Sequence, residues 1–327
     1  MEKKKVILDV DTGSDDAIAL MVALRSPELE VLGITTVNGN KPVENTTENT
    51  LRVVDLLESD VPVFMGCATP LIAGLLPFRQ ARIAKDKEIT EDGRVITYHQ
   101  PYLEELPAAV SKPQEKRAVP WLIETLLQSE GDITIIAVGP LTNIATAMRA
   151  DPRIISKIKQ IIIMGGGHLQ TNVTSASEFN IHMDPEAAQI VMTSGCDILL
   201  VPLDATHRGW VGKEESRRFR DLGTKVGIAV ADLLDARIEA YDTLQPIVFA
   251  PAGTTPPHDA LAVCAAIDPA VLRNVQFRRV DVDFSGGFAD GMTIVDPRVW
   301  TDLPKNVHIA FDTDREKFVS MLFKYLS

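Results

Sequence analysis

The stretch VILDVDTGSDDAIALMVAL, residues 6–24, decides how the whole chain is read. Residues 6–10 form an apolar run broken only by Asp9, the pattern of a short buried strand. Beyond Gly13, apolar side chains recur at Ala17, Ile18, Leu20, Met21 and Leu24, which is helical spacing, and Ser14 is the expected N-cap. A strand that turns straight into a helix opens a βαβ unit. The alternation continues with strands at 31–37 and 61–64 around a helix at 45–57, so a parallel sheet is expected.

Farther along, a helix at 119–128, a strand at 133–138 and a helix opened by Pro140 keep the same rhythm. Strands follow at 161–164, ending in Gly165-Gly166-Gly167, and at 198–201, with a helix at 185–193 between them. Residues 213–245 read as a helical appendage interrupted at Gly223. A helix at His258–Ile267, strands at 275–284 and 307–311, and an amphipathic helix at Arg315–Leu326 complete the pattern. Between 74 and 113 the rhythm lapses into a charged segment, read as an irregular surface excursion or flap. The expected fold is α/β: one compact domain over 1–327, with a mostly parallel, Rossmann-like central sheet flanked by helices.

Hydrophobic residues make up 45% of the chain and charged residues 24%, a balance that excludes a disordered protein. Lysine and arginine total 33 against 45 acids, a net charge of −12. That charge repels a phosphate backbone, so nucleic acid is not the expected partner. Cys67, Cys196 and Cys264 are odd in number and far apart, which fits reduced packing residues rather than disulfides or a CxxC metal site. No apolar stretch is long enough to span a bilayer, and the start does not read as a signal peptide. A cytoplasmic protein is expected.

Asp9, Asp11, Asp15 and Asp16 place four carboxylates at the first strand-to-helix junction. In doubly wound sheets, ligands bind outside the carboxyl ends of the strands. Alternation along a strand sends Asp9 and Asp11 to the same side. Gly13 permits a tight turn that brings Asp15 and Asp16 back towards them. A helix N-terminus favours nearby acids, which accounts for Asp15 but not for Asp9 and Asp11. Carboxylates this close repel each other unless a cation or protons compensate. An oxygen-only donor set suits Ca²⁺ or Mg²⁺ better than zinc.

The segment DVDTGSDDAIAL, residues 9–20, resembles the opening signature of the inosine–uridine-preferring nucleoside hydrolases, a DxDxGxDDAxAL pattern. Further segments agree in the family's order. They are TTVNGN at 35–40, VGPLTNIA at 138–145, MGGG at 164–167 with EFN at 178–180 and DPEAA at 184–188, and His258-Asp259. The resemblance covers most of the chain. It implies Ca²⁺-dependent hydrolysis of the N-glycosidic bond of a ribonucleoside, as in purine or pyrimidine salvage, by a homo-oligomer (dimer or tetramer).

Carried over residue by residue, the resemblance makes Asp11, Asp16, Asp259 and the backbone carbonyl of Val138 the metal ligands. Asp11 is also the implied general base towards water, and Asp15 and Asn40 hold ribose hydroxyls or orient that water. Asn172, Glu178 and Asn180 grip the rest of the ribose, with Met164 beside them on the glycine-rich turn. Breaking the bond gives the sugar oxocarbenium character, which carboxylates and amide oxygens stabilise. The departing base needs a proton. His258, next to Asp259, either supplies it or only shapes the wall. Without the resemblance, Glu178-Phe179-Asn180 reads as an ordinary loop. His168, His182 and His207 are not read as metal ligands. Trp121 and Trp300 read as packing residues, and Trp210 as either a core residue or a base-stacking one.

The chain departs from the family pattern in places. Thr12 replaces a proline and Ala260 follows His258-Asp259; both changes leave the functional side chains in place. After Cys67 the family commonly has a His-Gly-Glu-type flap segment near the base, and no such motif occurs in 74–99. His99 is a displaced substitute only if the fold brings it to the pocket. The ribose end carries over; the choice of leaving base does not. Two other readings compete. Asp9-x-Asp11 after an apolar strand also resembles the start of haloacid-dehalogenase-type Mg²⁺-dependent phosphatases, but no downstream lysine and paired-acid set matches. The altered flap also fits a non-catalytic ribose or nucleoside binder.

Overall fold

The computed structural model describes residues 3–76, 79, 88–91, 94–244, 250–298, 300 and 303–327. Strand β1 (Lys4–Val10) lies in the middle of the sheet and is buried from Val6 onwards. Val6, Leu8 and Val10 enter the apolar cluster on one face, and Ile7 the cluster on the other. A strand buried on both faces needs this continuous apolar run. β2 (Leu29–Thr36) and β3 (Val63–Met65) follow, and β4 (Glu88–Glu91) and β5 (Arg94–Thr97) form a separate antiparallel hairpin. β6 (Ile133–Ala137), β7 (Ile158–Met164) and β8 (Ile198–Val201) return to the sheet. β9 (Val211–Gly212) pairs with β10 (Thr254–Thr255), and β11 (Leu272–Val282), β12 (Thr293–Asp296) and β13 (Val307–Thr313) complete the strands.

The nine-stranded sheet runs β12-β11-β13-β8-β7-β6-β1-β2-β3. Pairing is parallel from β13 to β3, and β11 runs antiparallel to both β13 and β12. The sheet is thus mostly parallel with an antiparallel edge, and helices cover both faces. From β1 the chain moves outward through β2 to β3, then returns to the opposite side of β1 as β6. The carboxyl ends of β1 and β6 therefore flank a topological switch point, where a doubly wound sheet opens a crevice. Asp11 stands just beyond β1, and Val138 just beyond β6.

Helix α1 (Ser14–Arg25) follows the first turn directly. Gly13, not Ser14, occupies its cap position, and Asp16 of the first turn accepts the Gly13 N–H at 2.9 Å. Next come α2 (Val43–Leu56), α3 (Ala118–Gln128) and α4 (Thr142–Ala150). Pro140 lies two residues ahead of α4 instead of in its first turn. The stretch read as a loop at 178–180 instead enters a short helix, α5 (Phe179–Met183), capped by the Glu178 side chain. α6 (Pro185–Met192) and α7 (Leu203–Thr206) precede the appendage, which is two helices, α8 (Lys213–Asp221) and α9 (Lys225–Leu244), separated at Gly223. α10 (His258–Ile267) and α11 (Arg315–Leu326) match the sequence pattern.

In the 74–113 excursion, the hairpin β4–β5 was not foreseen, and residues 77–78, 80–87 and 92–93 lie outside the described residues, as does residue 245 of the appendage. The three cysteines are free, as expected. Among the described residues no helix is long and apolar enough to cross a membrane.

Candidate active site

Asp11 sits in a slot between two backbone walls. A Cβ on Gly39, in the turn after β2, would lie 2.0 Å from Asp11 Oδ2; one on Gly139, after β6, would lie 2.7 Å from Oδ1. Only glycine lets the chain pass this close. The Asn40 N–H donates to Oδ2 at 2.7 Å, whereas Oδ1 is buried with no hydrogen-bond partner among the described residues. Burial first, and the Asp16 charge second, push the Asp11 carboxyl well above the usual carboxylate range. Asp9 also has one oxygen, Oδ2, without a partner among the described residues, but its other oxygen is held by side chains. Thr35 and Asn143 both donate to its Oδ1, and burial raises its carboxyl to about 6.

The turn after Asp11 returns on itself, as Gly13 suggested. Asp16 accepts the N–H groups of Asp11 and Gly13 and the side-chain amide of Asn40. The first turn of α1 thereby places Asp15 and Asp16 opposite Asp259, which opens α10. One carboxylate oxygen from each of these three buried residues lies within 4.8 Å of the others. Burial and then the Asp15 charge raise Asp16 to about 7; burial and then Asp15, Asp16 and Asp11 raise Asp259 well above its usual range. Arg237 offsets one of these four clustered carboxylates, and the others repel each other unless a further cation or protons compensate. Their hard oxygen donors, together with the orphaned Asp11 Oδ1, fit a divalent cation of the Ca²⁺ or Mg²⁺ type. The tight triplet is Asp15, Asp16 and Asp259, with Asp11 beside it. The Val138 carbonyl, just beyond β6, accepts the Asn180 amide at 2.7 Å.

The residues expected to grip the sugar also converge. Asn180 donates to the carbonyls of Val138 and Met164, which ties α5 to the ends of β6 and β7. This leaves the Asn180 side-chain oxygen as its remaining acceptor. Glu178 accepts N–H groups from Gly166, Asn180 and Ile181, and burial lifts its carboxyl to about 7. Asn172 accepts the Phe179 N–H at 2.9 Å.

His258 is buried with both ring nitrogens engaged. Nε2 lies 2.6 Å from the Tyr241 hydroxyl and Nδ1 2.7 Å from the Thr206 hydroxyl. Burial, with the nearby His207 and Arg237, pushes its pKa well below the ordinary imidazole range, so it is neutral. Burial likewise lowers His207 to about 4. Sequence reasoning missed two residues here, Arg237 and Tyr241, one turn apart on α9. Arg237 is only 2% exposed and donates to Asp15 Oδ1 at 2.9 Å, to the Ser14 hydroxyl and to the Pro256 carbonyl. Their only signal was a basic and a phenolic side chain on the helix face that also buries Val230, Leu234 and Ile238.

The foot of the β4–β5 hairpin reaches the same place. The Ser14 N–H points at His99 Nδ1 across 3.4 Å, a Cβ on Gly13 would meet that ring, and Tyr98 packs edge-on against Tyr241 at 5.4 Å between centroids. The tryptophans lie elsewhere. Trp121 stacks on Phe64, and the Arg315 guanidinium covers Trp210 at 3.6 Å. Trp300, expected to pack, is 75% exposed, with Arg298 over its ring.

A crevice at the switch point of a mostly parallel sheet, floored by carboxylates and walled by amides, defines an α/β enzyme built for a small polyhydroxylated ligand. The chain belongs to the inosine-uridine preferring nucleoside hydrolase family, whose model matches residues 6–320, and it is accordingly an N-glycosyl hydrolase. It is 38% identical to the pyrimidine-specific ribonucleoside hydrolase RihA of Escherichia coli O81 (strain ED1a) over 321 residues, 97% of this chain and 96% of that one. Among solved structures it is similar to the plant nucleoside hydrolase PpNRh1 (TM-score 0.85, 32% identity, 99% of both chains). It is also similar to the purine-preferring ribonucleoside hydrolase of Gardnerella vaginalis (TM-score 0.84, 32% identity, 99% and 98% of the two chains).

Proposed function

We propose that this protein cleaves the N-glycosidic bond of ribonucleosides with the help of Ca²⁺, releasing ribose and a free base through an oxocarbenium-like transition state. The observation that carries the reading is the Asp11 carboxylate, locked through Oδ2 and orphaned at Oδ1 among buried acids. Asp11, Asp16, Asp259 and the Val138 carbonyl would hold the ion, whose charge balances the carboxylates and acidifies a nearby water. Asp11 then takes the proton of the attacking water through Oδ1. Asp15 and Asn40 bind ribose hydroxyls, and Asn172, Glu178 and Asn180 hold the opposite side of the sugar. The Asn180 oxygen and the carboxylates favour the positive charge that develops on the ring.

At the base end, His258 is a neutral imidazole bonded on both sides. Bridging the Thr206 and Tyr241 hydroxyls, it would orient the Tyr241 hydroxyl as a hydrogen-bond donor to the departing base. His99 and Tyr98 supply the neighbouring wall in place of the family's flap motif. The named relatives act on pyrimidine or purine ribonucleosides, so the leaving base is the variable part of the reaction.

The test is a panel of ribonucleosides, each paired with its 2′-deoxy form, assayed in Ca²⁺ for released reducing sugar. Ribonucleosides are expected to react and their deoxy partners to lag far behind, because buried polar groups lose their partner. Binding without release from any member would favour a nucleoside-binding protein instead.

A further inference from the structure

Arg237 is a full positive charge placed among carboxylates that the reading above assigns to a cation. Its side chain is 3% exposed, and that of its partner Asp15 is 9% exposed. The guanidinium is held on three sides. One nitrogen donates to both Ser14 Oγ and Asp15 Oδ1, at 3.0 and 2.9 Å, and the other to the Pro256 carbonyl at 3.0 Å. The last contact precedes His258 and Asp259 by two and three residues. Arg237 thus joins α9 to both segments that carry the acids. Arginine does not lose its proton inside proteins, so the charge is permanent.

A cation attracted by Asp15, Asp16 and Asp259 together would draw Asp15 inward as a further ligand. Arg237 opposes this, because it engages Oδ1 and neutralises the charge. Among the described residues no protein donor reaches Oδ2. We propose that Arg237 is a positioning residue that withholds Asp15 from the ion and reserves its free oxygen as a hydrogen-bond acceptor for a ribose hydroxyl. The inference rests on the function proposed above. It also explains why a helical appendage far along the chain is packed onto the first turn of α1. The same helix fixes His258 through Tyr241, so α9 braces the sugar end and the base end of the pocket from one side.

The experiment compares the full-length protein with Arg237→Gln, Arg237→Lys and the double variant Asp15→Asn/Arg237→Gln. Calcium affinity is measured by calorimetry, and kcat and KM are measured separately on a ribonucleoside and its 2′-deoxy form. In Arg237→Gln, Ca²⁺ should bind about tenfold tighter, since a neighbouring positive charge typically lowers a carboxylate's proton affinity by an order of magnitude or more and opposes any other cation in the same sense. KM for the ribonucleoside should rise, and the ribo-to-deoxy preference should shrink. Arg237→Lys keeps the charge but loses the fork, so its Ca²⁺ affinity should stay near that of the natural protein while KM still rises. The double variant should lose the tightening.

An unchanged KM and ribo-to-deoxy ratio in folded Arg237→Lys would overturn the proposal. So would a tightening that persists without the Asp15 carboxylate. If Arg237→Gln does not fold, the lysine variant carries the test alone. If the natural protein releases no ribose, the function proposed above fails, and the Ca²⁺ affinities still decide whether Arg237 withholds Asp15.

Discussion

The Asn40 N–H reaches Asp11 Oδ2 at 2.7 Å, while the other carboxylate oxygen of that residue, 1% exposed, has no partner among the described residues. The carboxylate is therefore oriented through one atom and left open at the other, the one proposed to act as the base. Asp11→Asn keeps the shape and removes both the base and one negative charge. Turnover should fall by about a hundred- to ten-thousand-fold, the usual worth of a positioned general base. The measurement is kcat by released sugar at saturating Ca²⁺, alongside thermal melting. Turnover near the natural level would take Asp11 out of the mechanism.

Gly39→Ala should be nearly as damaging without touching an acidic residue. The new methyl group would sit 2.0 Å from Asp11 Oδ2 and must push the carboxylate out of its slot. Gly74→Ala is the matched control, since nothing lies within 4 Å of a Cβ there. Loss of both kcat and Ca²⁺ affinity is expected for Gly39→Ala alone. Equal behaviour of the two variants would mean that the slot has no role.

Calcium should stabilise the fold, because the proposed site exists only in the native state. At a hundredfold excess over Kd the gain is about 2.7 kcal/mol. Melting in chelator and in added Ca²⁺ measures it. Asp259→Asn should shrink the gain, since it removes one of the converging carboxylates. A melting temperature indifferent to Ca²⁺ in the natural protein would sink the metal assignment.

The metal-free protein should lose stability as pH rises. Asp9 is raised to about 6 and Asp16 and Glu178 to about 7, each chiefly by burial. Over the window from their ordinary values near 4 up to about 7, the native state holds protons that the unfolded chain has released. Stability then falls with rising pH across this window. The neutral His207 and His258 act in the opposite sense below about 6.5, but the raised carboxyls, including Asp11 and Asp259, outnumber them. Melting curves at pH 5, 6 and 7 (roughly spanning the window) should show a decline in chelator that Ca²⁺ reduces. A metal-free profile that climbs across this range would contradict the assignment.

His99 offers a test of the base wall. Its ring is fixed against Gly13 and the Ser14 N–H at the foot of the hairpin. His99→Ala should change relative rates among bases far more than it changes the preference for ribose over deoxyribose. A uniform loss on every base would place His99 in the sugar-binding machinery instead.

Much of this could be read from local sequence. The DVDTGSDDAIAL turn, the His258–Ile267 helix and the Arg315–Leu326 helix follow from spacing alone, because apolar periodicity and acidic first turns are properties of neighbours in the chain. The edge strand Thr293–Asp296 was invisible. It has only four residues, follows a glycine-rich turn, and owes its form to pairing with β11. Arg237 and Tyr241 were invisible for a related reason. An arginine in a helix reads as a solvated charge until its carboxylate, more than two hundred residues away, is brought against it. His99 was noticed but could not be placed, since only the hairpin's packing carries it to Gly13.

The slot around Asp11 has a consequence for how such a protein can diverge. Its walls are main chain at two glycines, so no exchange of neighbouring side chains reshapes it; a substitution either leaves the carboxylate where it is or expels it. The wall proposed to meet the base is made instead of side chains from a hairpin and an appended helix, His99, Tyr98 and Tyr241, which can be replaced one at a time. Mutational drift is therefore channelled to one end of the pocket. A lineage built on this frame can vary the wall near the base in small steps, while the seat of Asp11 resists any residue larger than glycine at positions 39 and 139.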